Sequence, residues 1–140
     1  MSNDKAKSPR CADGDAMIGG LDHINIETTD LPASLHFYQE VLGLEPGWRP
    51  SFDVPGAWLY IDDQPVVHLV VRPNVHPAPT GAIHHVALKA TGLDDMTRRF
   101  EQHGIEFSKT IVPDLNVTQV FVDDPNGVKL ELNFYADTAG

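Results

Sequence analysis

A single cysteine, Cys11, leaves this 140-residue chain unable to form an internal disulfide, so packing and hydrogen bonds must hold its fold together. No run of about eighteen consecutive apolar residues occurs, which argues against a membrane-spanning helix. Basic residues are scarce: ten Lys and Arg stand against twenty Asp and Glu, a formal net charge of −10. No basic cluster could neutralise a row of phosphates, so nucleic acid and anionic membrane surfaces are poor partners. A basic stretch followed by a short apolar one, the mark of an export signal, does not open the sequence, and a cytoplasmic location is the expectation. What remains is the composition of one ordinary globular domain, 41% hydrophobic and 21% charged. Residues 1–20 lack a periodic apolar pattern and are expected to form a flexible tail, with a second short tail at 136–140.

The rest of the chain repeats itself. LDHINIETTDL from Leu21 aligns with IHHVALKATGL from Ile83 at an offset of 62, placing His23 on His85. Further on, YIDDQPVVHLVV from Tyr60 aligns with FVDDPNGVKLELNF from Phe121 through a shared Asp-Asp turn. Each copy opens with an alternating segment, in which Ile24 and Ile26 face one way and His23 and Asn25 the other. The first helix is expected to start near Asp30, with Pro32 in its first turn and Leu31, Leu35, Tyr38 and Leu42 on one stripe, and to stop at Gly43. The second should start near Thr91, carry Asp94 and Asp95 in its first turn, and pack Leu93, Met96 and Phe100 before Gly104. Three strand-like segments follow each helix. The clearest hairpin joins Val117–Asp123 to Val128–Phe134 through Asp124, Pro125, Asn126 and Gly127. The pattern is α+β: βαβββ modules at 21–72 and 83–135 within a single domain, joined by a proline-rich linker at 73–82. A four-stranded sheet with one helix leaves its other face bare, so the two curved sheets are expected to pair and enclose a cavity.

The repeat also pairs potential metal ligands. Counting from the Asp-Asp turn, His68 falls on Glu131, and the intervals agree: 45 residues from His23 to His68 and 46 from His85 to Glu131. Imidazole and carboxylate donors at two equivalent pairs of strand positions suit Fe²⁺, Zn²⁺, Ni²⁺, Mn²⁺ or Co²⁺ and are too nitrogen-rich for Mg²⁺ or Ca²⁺. Glu131 lies between Leu130 and Leu132 and on alternation faces away from them, with Lys129 and Asn133. Asn25 shares the face of His23. Trp58 and Tyr60, on one face by alternation, and Phe121, matched to Tyr60, are candidate walls of a substrate pocket, or else packing between sheets. His84, adjacent to His85, should point to the opposite face and is given no role; nor are His36, His76, His103 or Cys11.

With these residues in place, the sequence over about 21–135 resembles the vicinal-oxygen-chelate superfamily, which includes glyoxalase I, fosfomycin-resistance proteins, methylmalonyl-CoA epimerase, extradiol dioxygenases and bleomycin-resistance proteins. LDHINIETTDLPASLHFYQEVLGLEPG is similar to its opening strand and helix, and VFVDDPNGVKLELNF to its closing hairpin. The resemblance implies metal ligation by His23, His85 and Glu131, with His68 where glyoxalase I has a fourth ligand. It implies a homodimer whose sites take ligands from both chains, and a small substrate that chelates the metal through neighbouring oxygens. The chemistry implied is that of a lyase or isomerase, with Glu131 and His68 catalytic. The alternatives are an Fe²⁺ extradiol-type dioxygenase and a bleomycin-resistance-like protein that sequesters its ligand. Departures are Glu27 where bacterial glyoxalase I has an arginine for glutathione, and Asn25 and Phe121 where fosfomycin-resistance enzymes have a threonine and a tyrosine.

Overall fold

The structure, a computed structural model, describes residues 17–136, so most of the two expected tails, and Cys11, lie outside the described residues. Strand β1 (Ile24–Thr28), helix α1 (Leu31–Leu35), β2 (Glu45–Gly47), β3 (Gly56–Ile61) and β4 (Gln64–Val71) form the first module. Strand β5 (Val86–Ala90), helix α2 (Leu93–Gln102), β6 (Ser108–Val112), β7 (Val117–Asp123) and β8 (Lys129–Tyr135) form the second. The two sheets have the same order, β1-β4-β3-β2 and β5-β8-β7-β6. In each, the first strand runs parallel to the last and the other pairs are antiparallel. A parallel pair needs a crossover, and α1 and α2 lie within those crossovers. The βαβββ repeat is therefore present twice, as expected. Among the described residues no helix is long and apolar enough to cross a membrane.

Helix α1 begins where expected. The Asp30 side chain accepts a hydrogen bond from the Ala33 N–H at 3.0 Å, and Pro32 sits in the first turn, where its missing N–H costs nothing. After Leu35 the helix widens into a π-helical stretch over His36–Val41, and the chain reverses at Gly43 with φ +88°. Of the expected stripe only Tyr38 is fully buried; Leu31, Leu35 and Leu42 are partly exposed, while Phe37 and Val41 are buried in their place. Widening the turn rotates the face that follows it, which a constant period of 3.6 cannot anticipate. Helix α2 keeps its expected stripe, with Phe100 buried and Leu93 and Met96 packed against the core.

The modules join through their helix-bearing sides. Ile26, Leu59, Val67 and Leu69 of the first sheet belong to one buried cluster with Val120, Val122, Leu130 and Leu132 of the second, together with Phe37, Tyr38, Val41 and Phe100. A polar clasp crosses this junction. The Tyr38 hydroxyl donates to Asp124 at 2.8 Å and the Asn126 amide to Ser34 at 3.0 Å, while the Ser34 hydroxyl donates to Thr28 of its own module at 3.0 Å. Asp124 in turn accepts from the backbone N–H groups of Asn126 and Val128, both at 2.8 Å, which shapes the β7–β8 turn. Burial, and then the charge of Asp124, push the Tyr38 phenol well above its ordinary pKa, so it stays a donor.

The linker is pinned to the same turn, with the Ala78 N–H donating to the Asn126 carbonyl at 3.2 Å. Gly127 turns there with φ +92°, and a Cβ on it would collide with the Ala78 backbone. Gly127→Ala is expected to cost at least about 2 kcal/mol in urea unfolding, from the left-handed backbone and the collision together. A loss under about 0.5 kcal/mol would mean that linker and turn are not held together.

Because the helix-bearing sides meet, the opposite sheet faces are not closed on one another, and the two sheets stay separate. The cavity expected between the paired sheets is thus not completed by one chain. The physical reason is that the apolar helix faces and the clasp claim the contact between modules.

Candidate metal centre

The sequence places its donors on the faces turned away from the core. Parallel pairing sets Asn25 beside His68, and antiparallel pairing sets Trp58 on the other side of His68, so the three form a row across β1, β4 and β3. In the second sheet Glu131 is flanked by Ala87 and Phe121 in the same way. His23 and His85 each stand one residue before the first strand of their module. The equivalence read from the repeat is therefore an equivalence of position in the sheets.

In the first module the donors stack. The rings of His23 and His68 lie 3.7 Å apart, 11° from parallel, and Trp58 covers the other face of His68 at 3.9 Å. Their partners assign the tautomers. A carboxylate only accepts, so His23 Nδ1 carries the proton it donates to Asp22 at 2.7 Å, and Nε2 is the nitrogen a metal would use. A carbonyl only accepts, so His68 Nε2 donates to Pro65 at 3.0 Å and Nδ1 is the open nitrogen. Burial lowers the His68 pKa, the proximity of His23 lowers it further, and the bond to Pro65 opposes both. Neutral imidazole is the form that ligates a metal or accepts a proton.

In the second module the donors face each other. His85 Nε2 is 3.1 Å from one oxygen of the buried Glu131 carboxylate, and Gln119 donates to the other at 3.0 Å. Two donors bound side by side to one ion at about 2.1 Å each are separated by about 3 Å, so the pair has the spacing a divalent metal needs. The set of three imidazoles and one carboxylate fits a divalent transition metal. The two pairs are not brought together in one chain: among the described residues no group of three or more His, Cys, Asp or Glu side chains is placed to hold an ion.

Two details depart from the sequence reading. His84 was expected to point away from His85, yet their Nδ1 atoms are 2.9 Å apart. Strand β5 begins only at Val86, so strand alternation does not govern residues 84 and 85. Tyr60 does not share the recess of Trp58, because the register slips between Leu59 and Tyr60; its hydroxyl donates to the Trp48 carbonyl at 2.7 Å and its ring lines a separate recess with Leu42 and Leu44. His36 and His103, from different modules, meet at the surface with ring nitrogens 3.3 Å apart. Phe121 stands edge-on to His85 at 6.1 Å, beside the second donor pair. Asp22 and Gln119, which orient His23 and Glu131, were missed. Gln119 was legible as the residue two before Phe121 on one strand face, Asp22 only as a neighbour of His23.

The matching sheets and the paired donors define a class. The chain belongs to the Glyoxalase/Bleomycin resistance protein/Dioxygenase superfamily, whose profile it matches over residues 20–132. It is similar to Glyoxylase I 4 of Arabidopsis thaliana, 28% identical over 120 residues that span 80% of this chain and 68% of the relative. Among solved structures it is similar to a glyoxalase family protein from Bacillus anthracis, at 25% identity and a TM-score of 0.69, covering 84% of this chain and 96% of that one. The fold is shared with a fosfomycin resistance protein, FosX, from Listeria monocytogenes, solved with Mn(II) and dihydroxypropylphosphonic acid. That match has 17% identity, a TM-score of 0.68, and covers 85% of this chain and 94% of the other.

Proposed function

We propose that this protein is a metal-dependent lyase or isomerase, a cytoplasmic homodimer acting on a small substrate that offers neighbouring oxygens to a divalent metal ion. The observation that carries this reading is the division of the donors into two equivalent pairs, His23 with His68 and His85 with Glu131, each on a sheet face turned away from the core. A second copy, related by a two-fold axis, would set the first pair of one chain against the second pair of the other and make two sites per dimer. The Mn(II) complex of a protein with this fold supports the choice of ion. When bound, the ion supplies Lewis-acid polarisation of the substrate oxygens.

The chain's own residues do the rest. In the four-ligand site His68 binds the ion through its open Nδ1; only where it stands off the ion would that same nitrogen accept a proton from substrate and return it. Gln119 fixes the orientation of Glu131, and Asp22 that of His23. Asn25 offers hydrogen bonds beside His68, and Trp58 and Phe121 supply flat apolar walls. Metal analysis with light scattering tests the assembly: one ion per chain and a dimer mass are expected. A monomer at micromolar concentration overturns the shared site, and a purified protein that takes up no ion supports the ligand-sequestering alternative instead.

One observation favours a second reading. Parallel stacked rings cannot aim two in-plane lone pairs at one ion, so joint ligation by His23 and His68 requires one ring to turn. If His68 keeps its bond to Pro65, the ligands reduce to His23, His85 and Glu131, a two-histidine, one-carboxylate set suited to an Fe²⁺ extradiol-type dioxygenase. Metal titration of His68→Ala separates the two. Affinity reduced about tenfold or more is expected for a fourth ligand, whereas undiminished affinity with turnover lowered about 10²–10⁴-fold marks an acid–base group.

A further inference from the structure

Beside His68 lies a recess of about 390 Å³, lined by Asn25, Arg49, Phe52, Trp58 and Arg72 among others. Its two arginines differ. Arg72 is paired with Glu27 at 3.7 Å, which leaves it little net charge to offer. Among the described residues Arg49 makes no ion pair: its Nη2 donates to the Val54 carbonyl at 3.0 Å, its guanidinium lies 4.9 Å from the Phe52 ring centre, and its Nε is buried without a hydrogen-bond partner. Asp53 also borders the recess, yet it is exposed and not bonded to Arg49. A guanidinium is always charged and carries five donors, so four of the five are left unused beside an aromatic wall.

The backbone makes room for this arrangement. A Cβ on Gly56 would come within 2.8 Å of Arg49 Nη2 and would also run into the Leu69 carbonyl, so only glycine lets the guanidinium lie against β3. Around it stand both tryptophans of the chain. Trp58 faces Trp48 at 6.1 Å and Phe52 at 6.3 Å, and Trp48 and Phe52 are exposed. In a protein with a net charge of −10, an unpaired arginine held among aromatic rings is a local exception to the surrounding field.

We propose that this recess selects substrates with a flat apolar body and an anionic group, the body lying against Trp58 and Phe52 and the anion bound by Arg49. This rests on the reading of His68 as part of the site, since the same recess would hold the substrate next to it. An arginine fork recognises a carboxylate through two parallel hydrogen bonds, and charge-assisted bonds in a partly dry recess are the strong ones. Asn25, also in the lining, adds a neutral donor.

The test uses two probes of the same shape, 2-naphthoate and the neutral 2-naphthamide, titrated into purified full-length protein with and without Mn²⁺. The tryptophan indole N–H signals are followed by nitrogen-15 NMR. Saturable shifts are expected for naphthoate, with naphthamide bound about tenfold more weakly or worse. Arg49→Gln should remove that preference while leaving naphthamide binding unchanged, Arg49→Lys should restore part of it, and Arg72→Gln should leave it intact. Equal binding of the two probes, no saturable shift by either, or a preference that survives Arg49→Gln overturns the proposal. The metal reading fails separately: Arg49-dependent naphthoate binding in a protein that takes up no Mn²⁺ would leave this recess standing and remove the enzyme.

Discussion

Glu131→Ala is expected to lower metal affinity about 100-fold or more, and His85→Ala to do the same. Each change removes one of two donors held 3.1 Å apart and leaves the proposed site one ligand short. The proposed division of donors between two chains makes a sharper expectation available. A dimer assembled from one His23→Ala chain and one Glu131→Ala chain places both defects in the same site and leaves the other site with its full set. Such mixed dimers should recover about half the metal of the unaltered protein, although neither variant binds tightly by itself. Co-expression with two affinity tags, followed by metal analysis of the doubly tagged fraction, gives the measurement. No recovery in a folded heterodimer would mean that each site draws on a single chain.

A large effect on stability is expected at Asp124. Its buried carboxylate accepts from the Tyr38 hydroxyl, from two backbone N–H groups and from the Asn126 side chain at 3.2 Å. Alanine would strand these donors, and Tyr38 is fully buried, out of reach of solvent. The cost is about 3–5 kcal/mol, a large part of the ~5–15 kcal/mol that holds a typical domain. Tyr38→Phe removes one donor and leaves the carboxylate its other partners, so it should cost only about 1.5 kcal/mol. Thermal melts read this as a fall of about 10 °C or more for Asp124→Ala and a few degrees for Tyr38→Phe. A change below ~1 kcal/mol in Asp124→Ala would show that the modules are held by apolar contact alone.

Features tied to local chemistry were legible in the sequence. Asp30 and Pro32 start α1 and Gly43 ends it because cap and turn preferences are local. The two-fold match of His68 to Glu131 was visible because strand register preserves spacing. Features set by irregular backbone were not. The π-helical stretch after Leu35 moved the buried stripe from the leucines to Phe37 and Val41. The slip after Leu59 separated Tyr60 from Trp58, and the late start of β5 released His84 from alternation. Each is an insertion into a period, and a periodic pattern carries no trace of where its own period breaks. Arg49 was invisible for another reason: residues 48–55 have no periodicity, and the glycine that admits the guanidinium lies seven positions away.

The clasp between the modules joins unlike partners. A phenol and a hydroxyl come from one module, a carboxylate and an amide from the other. That contact occurs once per molecule, so its two sides need not match each other. The outer faces are under the opposite constraint. If they meet across a two-fold axis, every contact there is made twice, and a change in one strand is felt at both ends of the assembly. A substitution along the seam inside the chain is therefore met once, and one beside His23 or His85 would be met at both proposed sites.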